Sequence, residues 1–386
     1  MSELRYRLAR PNLGETELEA VHRVFDSGNL VQGREVVQFE EVVRELVGVQ
    51  QAIAVSSGTA AIHVAYLAMN IQPGDIVYIP SFAWPSAANL AVLIGALPIL
   101  IDVLPGTYNI DVAHLRVRIE KSIREDLGTP RLIVAIHQFG LPCDLDAVLE
   151  VAEEYELDVL EDAACALGAI KAGGSSHVGS LGKAGVFSFH PLKSITTGEG
   201  GMVVTNDEEL AVRCRAFRNH GRAPGSVVEF PGLNYRMTEF QAAIGTTQLA
   251  GGSASKLARS LKRRREIVLQ YIERLSGCKD IDLPEAPEEH TWQTFMVVLK
   301  KEDRNEIIRM LRDNHGVEAG IGSVDAHSME VFKAQPGWQS LPESERLARQ
   351  GLSLPLYPEL SVEDVNYCVK VLLETLRAID KSGQMQ

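Results

Sequence analysis

Between residues 50 and 206 seven short runs rich in apolar and β-branched residues recur: QAIAVS, DIVYIP, PILIDV, RLIVAIH, LDVLED, AGVFSFH and GMVVTN. Most are separated by stretches with helical spacing, such as TAAIHVAYLAM and DLDAVLEVAEEYEL. A strand that is apolar nearly throughout needs cover on both faces, and helices between such strands supply it. The alternation therefore predicts an α/β fold, a three-layer sandwich around a mostly parallel seven-stranded sheet. In open sheets of this kind ligands bind in the crevice beyond the carboxyl ends of the strands. The turns that follow the seven runs are where chemistry is to be sought.

Beyond residue 236 the texture changes. Thr238 and Gln241 in MTEFQAA have the spacing of a capping box and predict a helix start. A long charged helix is expected at about 254 to 276, a strand in WQTFMVVLK and a helix in EIIRMLRDNHG stopped by Gly316. A last helix should begin near Ser361 and run through VEDVNYCVKVLLETLRAI. This predicts a smaller C-terminal α+β domain, with a division into residues 1–250 and 251–386. A length of 386 residues suits two such domains.

Charge narrows the partners. Lys and Arg number 38 against 51 Asp and Glu, for a formal net charge of -13, and a surface of that sign repels nucleic-acid phosphates. The one dense basic run, Lys262 to Arg265, falls in a helical pattern and is expected to be a solvated helix face. The five cysteines, Cys143, Cys165, Cys214, Cys278 and Cys368, are scattered and lack CxxC spacing, so neither a disulfide framework nor a zinc site is indicated. No metal centre is expected, and a reducing cytoplasm fits. The first residues are polar, unlike a signal peptide, and no stretch of about 18 apolar residues suggests a membrane span.

Four segments carry chemistry. In FSFHPLKSITTGEGGMVVTND, residues 187 to 207, a strand ends and Lys193 follows in a turn of small and polar residues. Partial desolvation there would free its amine to attack a carbonyl; standing alone, such a lysine is usually a solvated charge. In LEDAACALGA the acidic pair closes a strand, and Asp162 is expected to face the crevice, with helix capping as its plainer role. In AVSSGTAAIHVA a strand meets Ser57, Gly58, Thr59 and Ala60 at a helix start, whose amides and dipole suit a phosphate. In PSFAWPSAAN, Trp84 follows a strand and could stack on a flat heterocycle, or simply pack in the core.

Together these segments resemble the DegT/DnrJ/EryC1/StrS family, sugar aminotransferases of the fold-type I class that use pyridoxal 5'-phosphate (PLP). The resemblance runs from SGNLVQGREVVQFEE through RNHGR and GLNYRMTEFQAA to LSLPLYPELS. It implies that residues 1–250 form the PLP-binding domain, that Lys193 is the Schiff-base lysine and that Asp162 partners the pyridine nitrogen. It places Trp84 on the ring, Gly58, Thr59, Ala60 and Ser188 at the phosphate, and Asn234 at the phosphate of a neighbouring subunit, hence a homodimer with shared sites. Where relatives commonly carry Gln or His three residues after the aspartate, this chain has Cys165, a weaker donor facing the cofactor or else packing.

The implied reaction is ping-pong, with glutamate or glutamine as amino donor and a nucleotide-linked keto-sugar as acceptor. His190, His220, Arg222, Tyr235 and the segment 320–332 are candidates for the acceptor side. A cyclitol ketone is an alternative acceptor. A PLP-dependent dehydratase is disfavoured, because relatives that eliminate a hydroxyl replace the lysine by histidine. VSSGTAAIH lacks the G-x-G-x-x-G of a Rossmann oxidoreductase, and an inactive regulator would be expected to have lost Lys193 or Asp162.

Overall fold

The computed structural model describes residues 4–222, 227–301 and 304–383. Each of the seven runs becomes a strand: β1 (Gln51–Val55), β2 (Asp75–Pro80), β3 (Leu97–Ile101), β4 (Thr129–Ile136), β5 (Asp158–Asp162), β6 (Ala184–Ser188) and β7 (Gly201–Thr205). They form one sheet in the order β1-β7-β6-β5-β4-β2-β3. Only β7 runs against its neighbours. Its direction follows from its connection, since β6 and β7 are joined without a crossover helix and a parallel return needs one. That connection, residues 189–200, carries Lys193 across the carboxyl end of the parallel strands.

Both faces of the sheet are covered, and the cover follows the period of two along each strand. Val77, Ile79, Leu132 and Val134 pack with residues of the helices Gly58–Ala68, Ser86–Leu93 and Glu208–Arg218. Their neighbours Ile76, Tyr78, Ile133 and Ala135 pack the other way, on the helices Val112–Arg124 and Leu145–Glu154. The helices Arg34–Val47 and Glu239–Leu249 extend that second layer over β1, β6 and β7.

A separate apolar cluster lies toward the C-terminus. There β8 (Ile281–Asp282), β9 (Phe295–Leu299) and β10 (Gly351–Leu354) form an antiparallel sheet in the order β10-β9-β8. The helices Lys256–Leu275, Arg304–His315 and Val362–Gly383 contribute to the same cluster. The chain also crosses back into it near its start. Tyr6 pairs with Val317 and gives its hydroxyl proton to Asp364 at 3.0 Å, while the Leu8 amide donates to Glu318.

Adjacent residues near 238 serve the starts of two different helices. Thr238 and Gln241 form the expected capping box, each side chain accepting from the other's amide. The buried carboxylate of Glu239 serves a different helix: it accepts the amides of Gly33, Glu35 and Val36 at 2.8, 2.9 and 3.0 Å, at the start of Arg34–Val47.

The basic run departs from expectation. Arg264 is only 2% exposed, and its guanidinium donates to the carbonyls of Trp292, Gln293 and Leu356. Burial, only partly offset by the charge of Glu359, lowers its pKa to about 10. Arg263 and Arg265, half-buried, likewise donate to backbone carbonyls, so of this run only Lys262 is a solvated face while the arginines tie the long helix to neighbouring segments.

Candidate active site

All four chemical segments meet at one edge of the large sheet, because each follows the carboxyl end of a parallel strand. Ser57–Ala60 follows β1, Trp84 follows β2, Asp162 ends β5, and Lys193 lies beyond β6. β5 and β6 are adjacent, with Asp162 in register with Val186 and the Ala163 amide bonded to the Val186 carbonyl. Sequence separation of about thirty residues is thereby converted into contact.

Lys193 Nζ lies 3.0 Å from Cys165 Sγ. Its positive charge also reaches Asp162. Burial raises the pKa of Asp162, opposed by the Ala164 amide and the charge of Lys193. No helix starts at Asp162; its Oδ1 accepts the Ala164 amide at 3.1 Å within a turn. The capping role is thus absent, and the carboxyl is left at the crevice.

The acid beside it faces the opposite way, as adjacent strand residues must. Glu161 is fully buried and accepts the amides of Gly179, Leu181 and Gly182, each at 2.7 Å. His137 completes the pairing at 3.1 Å; its Nδ1 takes the Cys143 amide, which leaves the proton on Nε2 for Glu161. Burial raises the Glu161 carboxyl, but these donors hold it below the usual value. Glu161 and His137 anchor the loop before β6, a role that only the two-residue period of LEDAA foreshadows.

An anion cradle forms where β1 meets its helix. Ser57 caps the helix by accepting the Ala60 amide at 3.1 Å, so the amides of Gly58 and Thr59 are the orphan donors of the first turn. Ser188 closes the other side: a Cβ on Gly58 would lie 2.8 Å from Ser188 Cβ and 3.1 Å from its Oγ. Gly201 permits the approach of β7 to the same loop, since a Cβ there would lie 2.2 Å from the Ser57 carbonyl oxygen. Thr59 and Ser86 share a hydrogen bond of 3.1 Å, tying the cradle to the loop that presents Trp84.

Trp84 is 72% exposed, not packed in the core. The loop in front of it is held by the C-terminal part of the chain: the Ala83 amide bonds to the Val324 carbonyl and Ala326 to that of Ser81. His327 is buried and lies 2.8 Å from the Ser81 hydroxyl and 3.2 Å from Glu345. Segment 320–332 is thus brought beside Trp84, while the Ser81–His327–Glu345 link was visible in sequence only as isolated polar residues.

The remaining candidates are more dispersed. His190 is half-buried, its carbonyl accepting the Lys193 amide at 2.9 Å. Tyr235 bonds to His63 at 3.1 Å, and His220 and Arg222 make backbone contacts in the neighbouring loop. Arg222 borders residues 223–226, outside the described residues. Asn234 is exposed, and its backbone pairs with Asn219. Among the described residues no group of three or more His, Cys, Asp or Glu could hold a metal ion.

The described site fits the cofactor implied by the sequence: an amine for its aldehyde, an enclosed acid for its ring nitrogen, an exposed indole for its face and a tight cradle for its phosphate. Such a site on this sheet defines an aminotransferase of the fold-type I class. The model of the DegT/DnrJ/EryC1/StrS aminotransferase family matches residues 11–373. The chain belongs to that family. It is similar to the aminotransferase TlmJ of Streptoalloteichus hindustanus, with 32% identity, a TM-score of 0.87 and coverage of 97% of this chain and 100% of that one. It is also similar to NtdA of Bacillus subtilis, solved with bound cofactor PMP, at 27% identity, a TM-score of 0.82 and coverage of 95% and 83%. DesI, solved in the presence of its TDP-sugar product, is 29% identical with a TM-score of 0.88 over 99% and 96%.

Proposed function

We propose that this aminotransferase uses PLP to move an amino group from glutamate or glutamine to a nucleotide-linked keto-sugar. The observation that carries the reading is the convergence of the Lys193 amine and the Asp162 carboxyl at the carboxyl edge of β5 and β6. The PMP bound to NtdA and the TDP-sugar product of DesI support the cofactor and the acceptor class.

In this reading Lys193 Nζ would hold the cofactor covalently, and the free amides of Gly58 and Thr59 with Ser188 would hold its phosphate, Ala60 lying beside them with its amide taken by Ser57. Asp162 keeps the ring nitrogen protonated, and Trp84 limits tilt of the ring. The bound ring supplies an electron sink that makes the donor's α-proton removable. Lys193 Nζ would then be the base that takes that proton from the α-carbon. Cys165, in contact with Lys193, lies on the cofactor side of the same crevice.

Asn234, exposed in a single chain, reaches the phosphate of a second copy, so the working unit is a homodimer with shared sites. Exposed Leu13, Leu18, Phe25, Leu30, Val31 and Val37 offer apolar surface for that pairing. The PLP-holding part comprises residues 1–250, the smaller part 251–386, and distinct apolar clusters support the division. Among the described residues no helix is long and apolar enough to cross a membrane. Five free cysteines support a cytoplasmic setting.

The deciding experiment incubates PLP-loaded protein with nitrogen-labelled glutamate or glutamine and a panel of nucleotide keto-sugars and cyclitol ketones. Label in a nucleotide amino-sugar is expected. Label only in a cyclitol amine moves the acceptor class, and no label in any product rejects the reading.

A further inference from the structure

The contact between the Lys193 amine and the Cys165 thiol joins two groups that can react with each other. Their N and S atoms are 3.0 Å apart, inside the range of about 3–3.5 Å at which bound groups are poised to react. Cys143, Cys214 and Cys368 are buried, whereas Cys165 and Cys278 are partly exposed, and of these Cys165 stands beside Lys193 at the crevice where substrates must enter. A small oxidant can therefore reach this sulfur, and the nearest nucleophile to it is the amine on which the proposed reaction depends.

We propose that Cys165 and Lys193 form a reversible sulfenamide cross-link under hydrogen peroxide whenever the amine is not bound to the cofactor. In the first step the thiolate sulfur attacks peroxide, the O–O bond breaks, and the thiol becomes a sulfenic acid with loss of one water. In the second step the Lys193 ammonium gives one proton to solvent, the freed lone pair on Nζ attacks that sulfur and the S–O bond breaks. The departing hydroxide takes a proton from nitrogen and leaves as a second water. One peroxide is reduced to two waters, the sulfur is oxidised by two electrons, and an S–N bond replaces one S–H and one N–H. A free thiol restores the amine by attacking the sulfur, and a second thiol then releases Cys165. The cross-link would spare the cysteine from irreversible oxidation and bar the cofactor until reductant returns.

Protection by the cofactor rests on the assignment of Lys193 made above; the cross-link itself rests only on the contact. The test treats the purified full-length protein with peroxide, once freed of cofactor and once loaded with PLP. In the cofactor-free protein the mass should fall by two hydrogens, trypsin should no longer cut after Lys193, and the peptides bearing Cys165 and Lys193 should be joined. Dithiothreitol should reverse all three changes, and Cys165→Ser should abolish them. Oxidation of Cys165 to sulfinic acid with trypsin still cutting after Lys193 overturns the proposal, as does the same mass loss in C165S. In Lys193→Ala a sulfenic acid trapped by dimedone is expected, and its absence also counts against the first step. If the loaded protein cross-links as readily as the cofactor-free one, the cross-link stands and the assignment of Lys193 to the cofactor fails.

Discussion

Asp162 is costly to the protein that carries it. Its carboxyl has a folded-state pKa above its unfolded value, chiefly through burial. The penalty is absent below the unfolded pKa, where both states are protonated, and complete once pH exceeds the raised value. Cofactor-free Asp162→Asn should therefore melt higher than the cofactor-free parent near pH 7, with the difference vanishing in acid, and the PLP-loaded variant should lose most of its turnover; thermal scans across pH check the sign. A gain that persists unchanged into acid would contradict it. Gly58 makes the converse prediction. A methyl group at 2.8 Å from Ser188 Cβ forces the cradle open, so Gly58→Ala should cost about 1–3 kcal/mol of PLP binding, about 5- to 150-fold in Kd by titration. Residue type and place in the chain made Lys193, Asp162 and the Gly58 loop legible in sequence. The exposure of Trp84 was not legible, because it depends on Ser81–Ala83 being clasped by residues 324–327, far away in sequence.

Elements were legible where their signals are local. All seven strands and the Thr238 capping box follow from periodicity and spacing, which act within a few residues. The direction of β7 was readable in principle from its helix-free connection. The basic run was misread because charge alone does not reveal carbonyl groups waiting on three other segments. Glu239 shows the same limit: it sits in the first turn of its own helix, yet its carboxylate caps Arg34–Val47. Glu239→Gln leaves one carbonyl oxygen where two oxygens served three amides. A loss of about 1–3 kcal/mol is expected, read as a lower denaturation midpoint with an unchanged slope.

At the scale of the molecule, the two apolar clusters are joined by more than the chain near residue 250. Tyr6 is buried in the C-terminal cluster although the rest of the N-terminal third serves the large sheet. Tyr6→Ala should cost about 3–5 kcal/mol, an aromatic lost from a packed core, and calorimetry should show the loss in the C-terminal part. An unchanged melting profile would mean that the early segment is only draped on the surface. No pattern in RYRLARP announces this attachment, because its partners Val317, Glu318 and Asp364 lie more than three hundred residues on.

Tyr6 and Leu8 stitch the beginning of the chain to its last third, where Phe82, Tyr108 and Phe139 of the large-sheet region already pack with Met296 and Val298 of β9. The early segment is therefore a late fastening on a packed junction. It cannot close until ribosomal synthesis is nearly finished, because Tyr6 must wait for Asp364 to emerge.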